Sequence, residues 1–200
     1  MEQLLKEIFA KHELQFKSSH TVSGGDISTA FAVETNQGLF FIKLNSATMF
    51  PLMFKREAEG LAALKGAAPL LKIPDVTAEG ELNLHQYLVM NWVEKTKPSA
   101  SFWHSFAEGL AQLHRNTNVQ FGWHSSNCIG SLVQQNTFTP MWSEFYASQR
   151  ILPLVEALFN VNSFSISDVQ SAESLCSRLE QLFPAEQPAM VRPATRRWCR

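Results

Sequence analysis

The sequence predicts an α+β fold divided into two lobes, a strand-rich N-terminal half followed by a helical half. Short stretches with period-two alternation are concentrated before residue 93, and helical spacing dominates after residue 101. Between the two regimes lies a polar, proline-containing stretch, residues 95–101 (KTKPSAS). The predicted order is helix, glycine loop, hairpin, helix, strand, linker, helices, which is not the alternation of a βαβ chain.

The chain opens with MEQLLKEIFAKHELQF, where Leu4, Leu5, Ile8 and Phe9 recur at helical spacing among charged residues. That is an amphipathic helix and not a secretory leader. Residues 29–35 (TAFAVET) alternate, residues 39–44 (LFFIKL) follow, and Asn36-Gln37-Gly38 between them supplies a hairpin turn. Ser23-Gly24-Gly25-Asp26 reads as a glycine loop joining an earlier strand to this hairpin. Residues 53–64 return to helical spacing with Phe54, Leu61 and Leu64 on one side, and Pro69 and Pro74 flank the exit. Residues 86–93 (QYLVMNWV) read as a buried strand. Beyond the linker, residues 102–114 form a helix through Phe106, Leu110 and Leu113, with Ser101 placed to cap it. Residues 122–139 look irregular, and 142–158 and 167–183 read as helices, the latter with Asp168, Glu173 and Glu180 toward solvent. The resulting division is an N-lobe at 1–93, a hinge at 94–101, a helical lobe at 102–191 and a basic tail at 192–200.

Composition excludes several classes. Of 200 residues, 45% are hydrophobic and 18% charged, and the formal net charge of −1 argues against a nucleic-acid or anionic-membrane partner. Four of the 17 basic residues are Arg192, Arg196, Arg197 and Arg200; without them 13 basic residues face 18 acidic ones, so the tail differs in character from the body. Cys128, Cys176 and Cys199 are an odd set without CxxC spacing, which gives no disulfide framework and no zinc signature. Reduced thiols and a cytoplasmic location are the simplest expectation. No apolar run approaches the length of a membrane span.

Lys43 carries the first chemical signal. It stands inside the apolar strand LFFIKL, where an ammonium either snorkels to water or is paired with an anion. Glu57 is the central carboxylate of the next helix. A strand lysine paired with a carboxylate on the following helix, beneath a glycine loop, is the arrangement by which kinases hold nucleotide phosphates. Gly24 and Gly25 would let backbone N–H groups approach the phosphates closely. Met90, Asn91 and Trp92 end the strand before the linker and are the expected hinge, where backbone groups would meet an adenine ring. His114, Trp123, His124 and Trp142 read as structural residues.

These segments resemble the fructosamine/ketosamine-3-kinase (ketoamine kinase) family. Residues 23–28 (SGGDIS) are similar to its glycine loop, 41–45 (FIKLN) to its phosphate-binding strand and 54–61 (FKREAEGL) to its glutamate helix. Residues 110–114 (LAQLH) also fit. The most distinctive similarity runs through Phe121-Gly122-Trp123-His124, Ile129-Gly130, Gln134-Gln135-Asn136-Thr137, Trp142, Phe145 and Arg150. The resemblance covers residues 1–191. It implies a protein-kinase-like two-lobed fold, ATP and magnesium as cofactors, and phosphorylation of a sugar hydroxyl on a small-molecule ketoamine or glycated protein, a step linked to deglycation.

The resemblance also implies a His-Gly-Asp loop, whose Asp accepts the hydroxyl proton, after the segment Pro188-Ala189-Met190-Val191. Here Arg192, Pro193 and Ala194 follow instead. Asp26 and Asp168 do not replace that base; Asp168 reads as a first-turn residue favoured by its helix dipole. The expectation is a chain without catalytic or metal-binding carboxylates, hence without phosphotransfer, its tail explained by truncation or a shifted reading frame. A pseudokinase-like nucleotide- or partner-binding module is the alternative. A choline or aminoglycoside phosphotransferase is disfavoured by the signature at 121–150.

Overall fold

The computed structural model describes residues 1–24 and 27–183 together with the backbone of 189–190. It divides into two compact units, Met1–Leu113 and a second from His114 onward.

The first unit is built on an antiparallel sheet of order β1-β2-β3-β5-β4, with β1 Phe16–Val22, β2 Thr29–Thr35, β3 Gly38–Ser46, β4 Val76–Leu82 and β5 His85–Asn91. The turn predicted at 36–38 joins β2 to β3, and Gly38 takes a φ of 118° that suits glycine. Register fixes two faces. Phe31, Ile42 and Val89 form one cross-strand rung, and Leu44 pairs with Tyr87 beside it. These side chains meet Leu5, Ile8 and Phe9 of the amphipathic helix α1, Glu2–Lys11, with Leu14 closing the cluster. Each such buried side chain contributes about 1.5–3 kcal/mol, so α1 is held by one apolar stripe. At the end of α1, His12 Nε2 and the fully buried Tyr87 hydroxyl are 2.9 Å apart. Gly80 pairs with Tyr87, and a Cβ there would lie 2.8 Å from the hydroxyl, so a larger residue at this edge-strand position would displace the Tyr87 side chain.

The other sheet face presents the rungs Ala30–Lys43–Leu88 and Ala32–Phe41–Met90 and faces α2, Met53–Ala67. Leu52, at the N-cap of α2, has a φ of 61° and makes no side-chain cap. Gln86 substitutes from the sheet: its Oε1 accepts from Phe54 N–H at 3.0 Å, and its Nε2 donates to the carbonyls of Phe50 and Ser46. One orphan donor in the first turn of the helix is thereby satisfied from the sheet. Residues 92–99 carry no regular element. Helix α3, Phe102–Arg115, then begins, with Ser105 N–H donating to the Ser101 carbonyl. Gly109 lets α3 approach Leu71, whose Cδ2 would lie 2.4 Å from an added Cβ.

The second unit corrects several sequence expectations. Residues 122–139 are not wholly irregular: β7 (Asn127–Ile129) and β8 (Leu132–Gln134) form a hairpin turning at Gly130. The helix expected at 142–158 comprises α4 (Trp142–Tyr146), a π-turn (Ala147–Ile151) and α5 (Leu152–Asn160). That expected at 167–183 is broken into α6 (Ile166–Cys176) and α7 (Leu179–Leu182). Asp168 lies in the first turn of α6 but does more than meet a dipole. It forms a reciprocal capping box with Ser165, and the Ser165 hydrogen bonds hold its carboxyl below the usual range. Short strands β6 (Thr117–Asn118) and β9 (Ala189–Met190) pair antiparallel. Residues 191–200, which include the basic tail and Cys199, lie outside the described residues.

Candidate functional site

Lys43 reaches from the centre of β3 to Glu57 in the second turn of α2, with Nζ 2.7 Å from Oε1. Strand alternation turns Lys43 away from the α1 core, and Glu57 follows Met53 and Phe54 on the α2 face turned to the sheet. The Phe54 ring lies 6.0 Å below the ammonium. The two charged side chains remain 30% and 32% exposed. A pair this accessible contributes less than about 1 kcal/mol to stability, so its significance is positional: an ammonium held at one spot with N–H donors still open to a ligand.

The β2 neighbours on this face include two small side chains. Ala30 and Ala32 of β2 lie on this face, and both are buried. Gly24 has a φ of 123°, accessible to glycine at little cost, and a Cβ there would meet nothing within 4 Å. Gly25 and Asp26 lie outside the described residues. Of the expected hinge, Met90 is buried on the Lys43 side of the sheet beside Phe41, and Phe41 makes a tilted ring contact with Trp92 at 6.4 Å. Asn91 N–H donates to the Asp75 carbonyl at 3.0 Å, Asn91 Oδ1 accepts from Asp75 N–H, and Trp92 N–H donates to the Leu39 carbonyl at 3.3 Å. These two hinge amides therefore serve the fold. The next backbone donor is Val93 N–H.

The signature residues of the second unit converge on Arg150 in the π-turn. Its guanidinium donates to the Gln135 carbonyl at 2.6 Å, the Gln149 carbonyl at 2.8 Å and the Asn136 side-chain oxygen, and lies 4.6 Å from the Phe145 ring centre. Asn136 is 5% exposed and donates in turn to the Ser125 carbonyl. Gly122, at φ 141°, brings its backbone so close that a Cβ would be 2.8 Å from the Asn136 carbonyl. The spacing of these residues thus encodes a clamp on residues 121–139. Burial lowers the Arg150 pKa, with Tyr146 partly opposing it. Burial raises the pKa of the free thiols of Cys128 and Cys176, which are not activated nucleophiles.

Sequence reasoning anticipated the pairing of Lys43 with Glu57. It missed Gln86 and Asn45, which support the pair from β5 and β3. The signal for both was a polar side chain inside an apolar strand, the same signal that drew attention to Lys43.

Comparison with known proteins decides the family. The chain matches the family described as fructosamine kinase over residues 1–192. It belongs to the fructosamine kinase family. A probable ketoamine kinase of Synechocystis sp. is 33% identical over 138 residues, which are 68% of this chain and 46% of that protein. A protein of Thermobifida fusca assigned as a fructosamine-3-kinase superposes with a TM-score of 0.78 at 24% identity, covering 94% of this chain and 65% of that one. An aminoglycoside phosphotransferase in ternary complex with ADP and hygromycin B superposes with a TM-score of 0.57 at 15% identity, covering 91% and 59%. The fold of this fructosamine kinase family member is therefore the protein-kinase-like α+β fold. The chain spans about half the length of the curated relatives it matches. No helix among the described residues is long and apolar enough to cross a membrane.

Proposed function

We propose that this chain is the nucleotide-holding part of an ATP-dependent ketoamine kinase, with Gly24, Gly25, Lys43, Glu57 and the hinge at Met90, Asn91 and Trp92 as its ATP site. The observation that carries the reading is the 2.7 Å Lys43–Glu57 pair on the sheet face opposite the core. The ammonium meets phosphate oxygens, and the carboxylate keeps it from swinging away. The hinge is sharpened by one residue: Val93 N–H, rather than Asn91 or Trp92 N–H, donates to the adenine edge. When bound, ATP supplies the phosphoryl group; this chain's residues bind and orient it. Among the described residues no three His, Cys, Asp or Glu side chains gather into a metal site, so no step is assigned to protein-held magnesium.

The acceptor is a ketoamine sugar hydroxyl, by the names of the relatives. Its deprotonation needs a carboxylate within hydrogen-bond reach, and the sequence carries Arg192-Pro193-Ala194 where the family resemblance implies His-Gly-Asp. These 200 residues are therefore expected to bind ATP without transferring phosphate. Incubation with radiolabelled ATP, magnesium and fructosyl-lysine is predicted to yield no labelled sugar above the enzyme-free control. Labelled 3-phosphate product would overturn the inactivity.

A further inference from the structure

The nucleotide reading leaves one neighbouring group unexplained. Asn45 follows Lys43 by two residues and projects from the same face of β3. Met53 precedes Glu57 by four, on the same face of α2. Two strand residues advance about 6.8 Å and four helical residues about 6 Å, so the elements meet in matched rungs, Lys43 with Glu57 and Asn45 with Met53. Asn45 is 7% exposed. Its Nδ2 lies 3.2 Å from Met53 Sδ and 3.4 Å from Ser28 Oγ. Its Oδ1 has no hydrogen-bond partner among the described residues.

A thioether is a weak acceptor, 3.4 Å is a long hydrogen bond, and a buried unsatisfied carbonyl costs about 1–3 kcal/mol. Leucine at this position would avoid that cost. The amide is therefore poorly explained as packing. Ser28 immediately precedes Thr29, which pairs with Leu44, so Ser28 stands across from Asn45 where the chain enters β2.

We propose that Asn45 is a positioning residue. Through Ser28 it holds the entry of β2, residues 27–29, against β3 two residues beyond Lys43, and so fixes the spacing between the ammonium and the backbone N–H groups at Ile27 and Ser28. Both sets of donors then address one phosphate chain. The proposal rests on the ATP-site reading and concerns its phosphate end alone, leaving the adenine end untouched.

The test is calorimetric titration of the full 200-residue chain with ATP and with adenosine, for wild type, Asn45→Ala, Ser28→Ala and the double variant. Asn45→Ala is expected to weaken ATP binding about tenfold and leave adenosine binding unchanged. Ser28→Ala, in a loop where folding is not at stake, is expected to act in the same direction. The double variant should be no weaker than Asn45→Ala alone, as for two residues acting through one contact. Equal losses for ATP and adenosine, additive losses, or unchanged ATP binding would overturn the positioning role while leaving the ATP site standing. Wild type binding neither ligand would overturn the ATP site, and the positioning role with it.

Discussion

Lys43 was legible in the sequence because one cation in LFFIKL breaks an apolar pattern, and its partner lies only 14 residues on, at the centre of the next helix. His12 and Tyr87 were not legible, because nothing local links residues 75 apart in sequence. Their contact has a pH consequence. Burial, then the neighbouring Lys11, lowers the His12 pKa below its ordinary value of 6.5. The folded state therefore prefers the neutral imidazole. Well above pH 6.5 both states are neutral and stability is unaffected; as pH falls through 6.5, the unfolded chain takes up the proton first and stability declines. The urea midpoint should fall between pH 7.5 and pH 5.5 by more in wild type than in His12→Gln. An equal fall in both would contradict this assignment.

At the scale of elements, α1, the β2–β3 hairpin, α2, β5 and α3 followed from periodicity and turn chemistry. Strand β4 was missed because VTAEGEL is an edge strand with two outward glutamates flanking a glycine, and only the register shows that Gly80 lies against Tyr87. The π-turn was missed because one extra residue in a helical run barely disturbs apolar spacing, although it aims Arg150 at residues 135 and 136. The start of α2 was placed correctly without its cause, since its cap comes from a different strand. Gln86→Leu strands the Phe54 N–H and two carbonyls in a buried place. It should lower unfolding free energy by about 1–3 kcal/mol in urea titration, and a loss under about 0.5 kcal/mol would contradict the surrogate-cap account.

At the scale of the whole molecule, a first unit with its own core carries the entire Lys43–Glu57 arrangement, and the family match runs to residue 192. The family was legible in the sequence because its signature residues are held to particular types by the Arg150 clamp and by Gly122, which admits no side chain. The residues at which the resemblance implies the catalytic loop, Arg192-Pro193-Ala194, lie outside the described residues. Nucleotide binding is thus the proposed property of these residues that can be tested apart from catalysis. Its most direct test is calorimetric titration of ATP with magnesium into the 200-residue chain and into Lys43→Met, a substitution that keeps the stem length and removes the ammonium. The account predicts one ATP per chain for wild type and at least tenfold weaker binding for Lys43→Met, with both proteins melting within a few degrees of each other. Absent binding in wild type, or equal affinity in the two proteins, would contradict it.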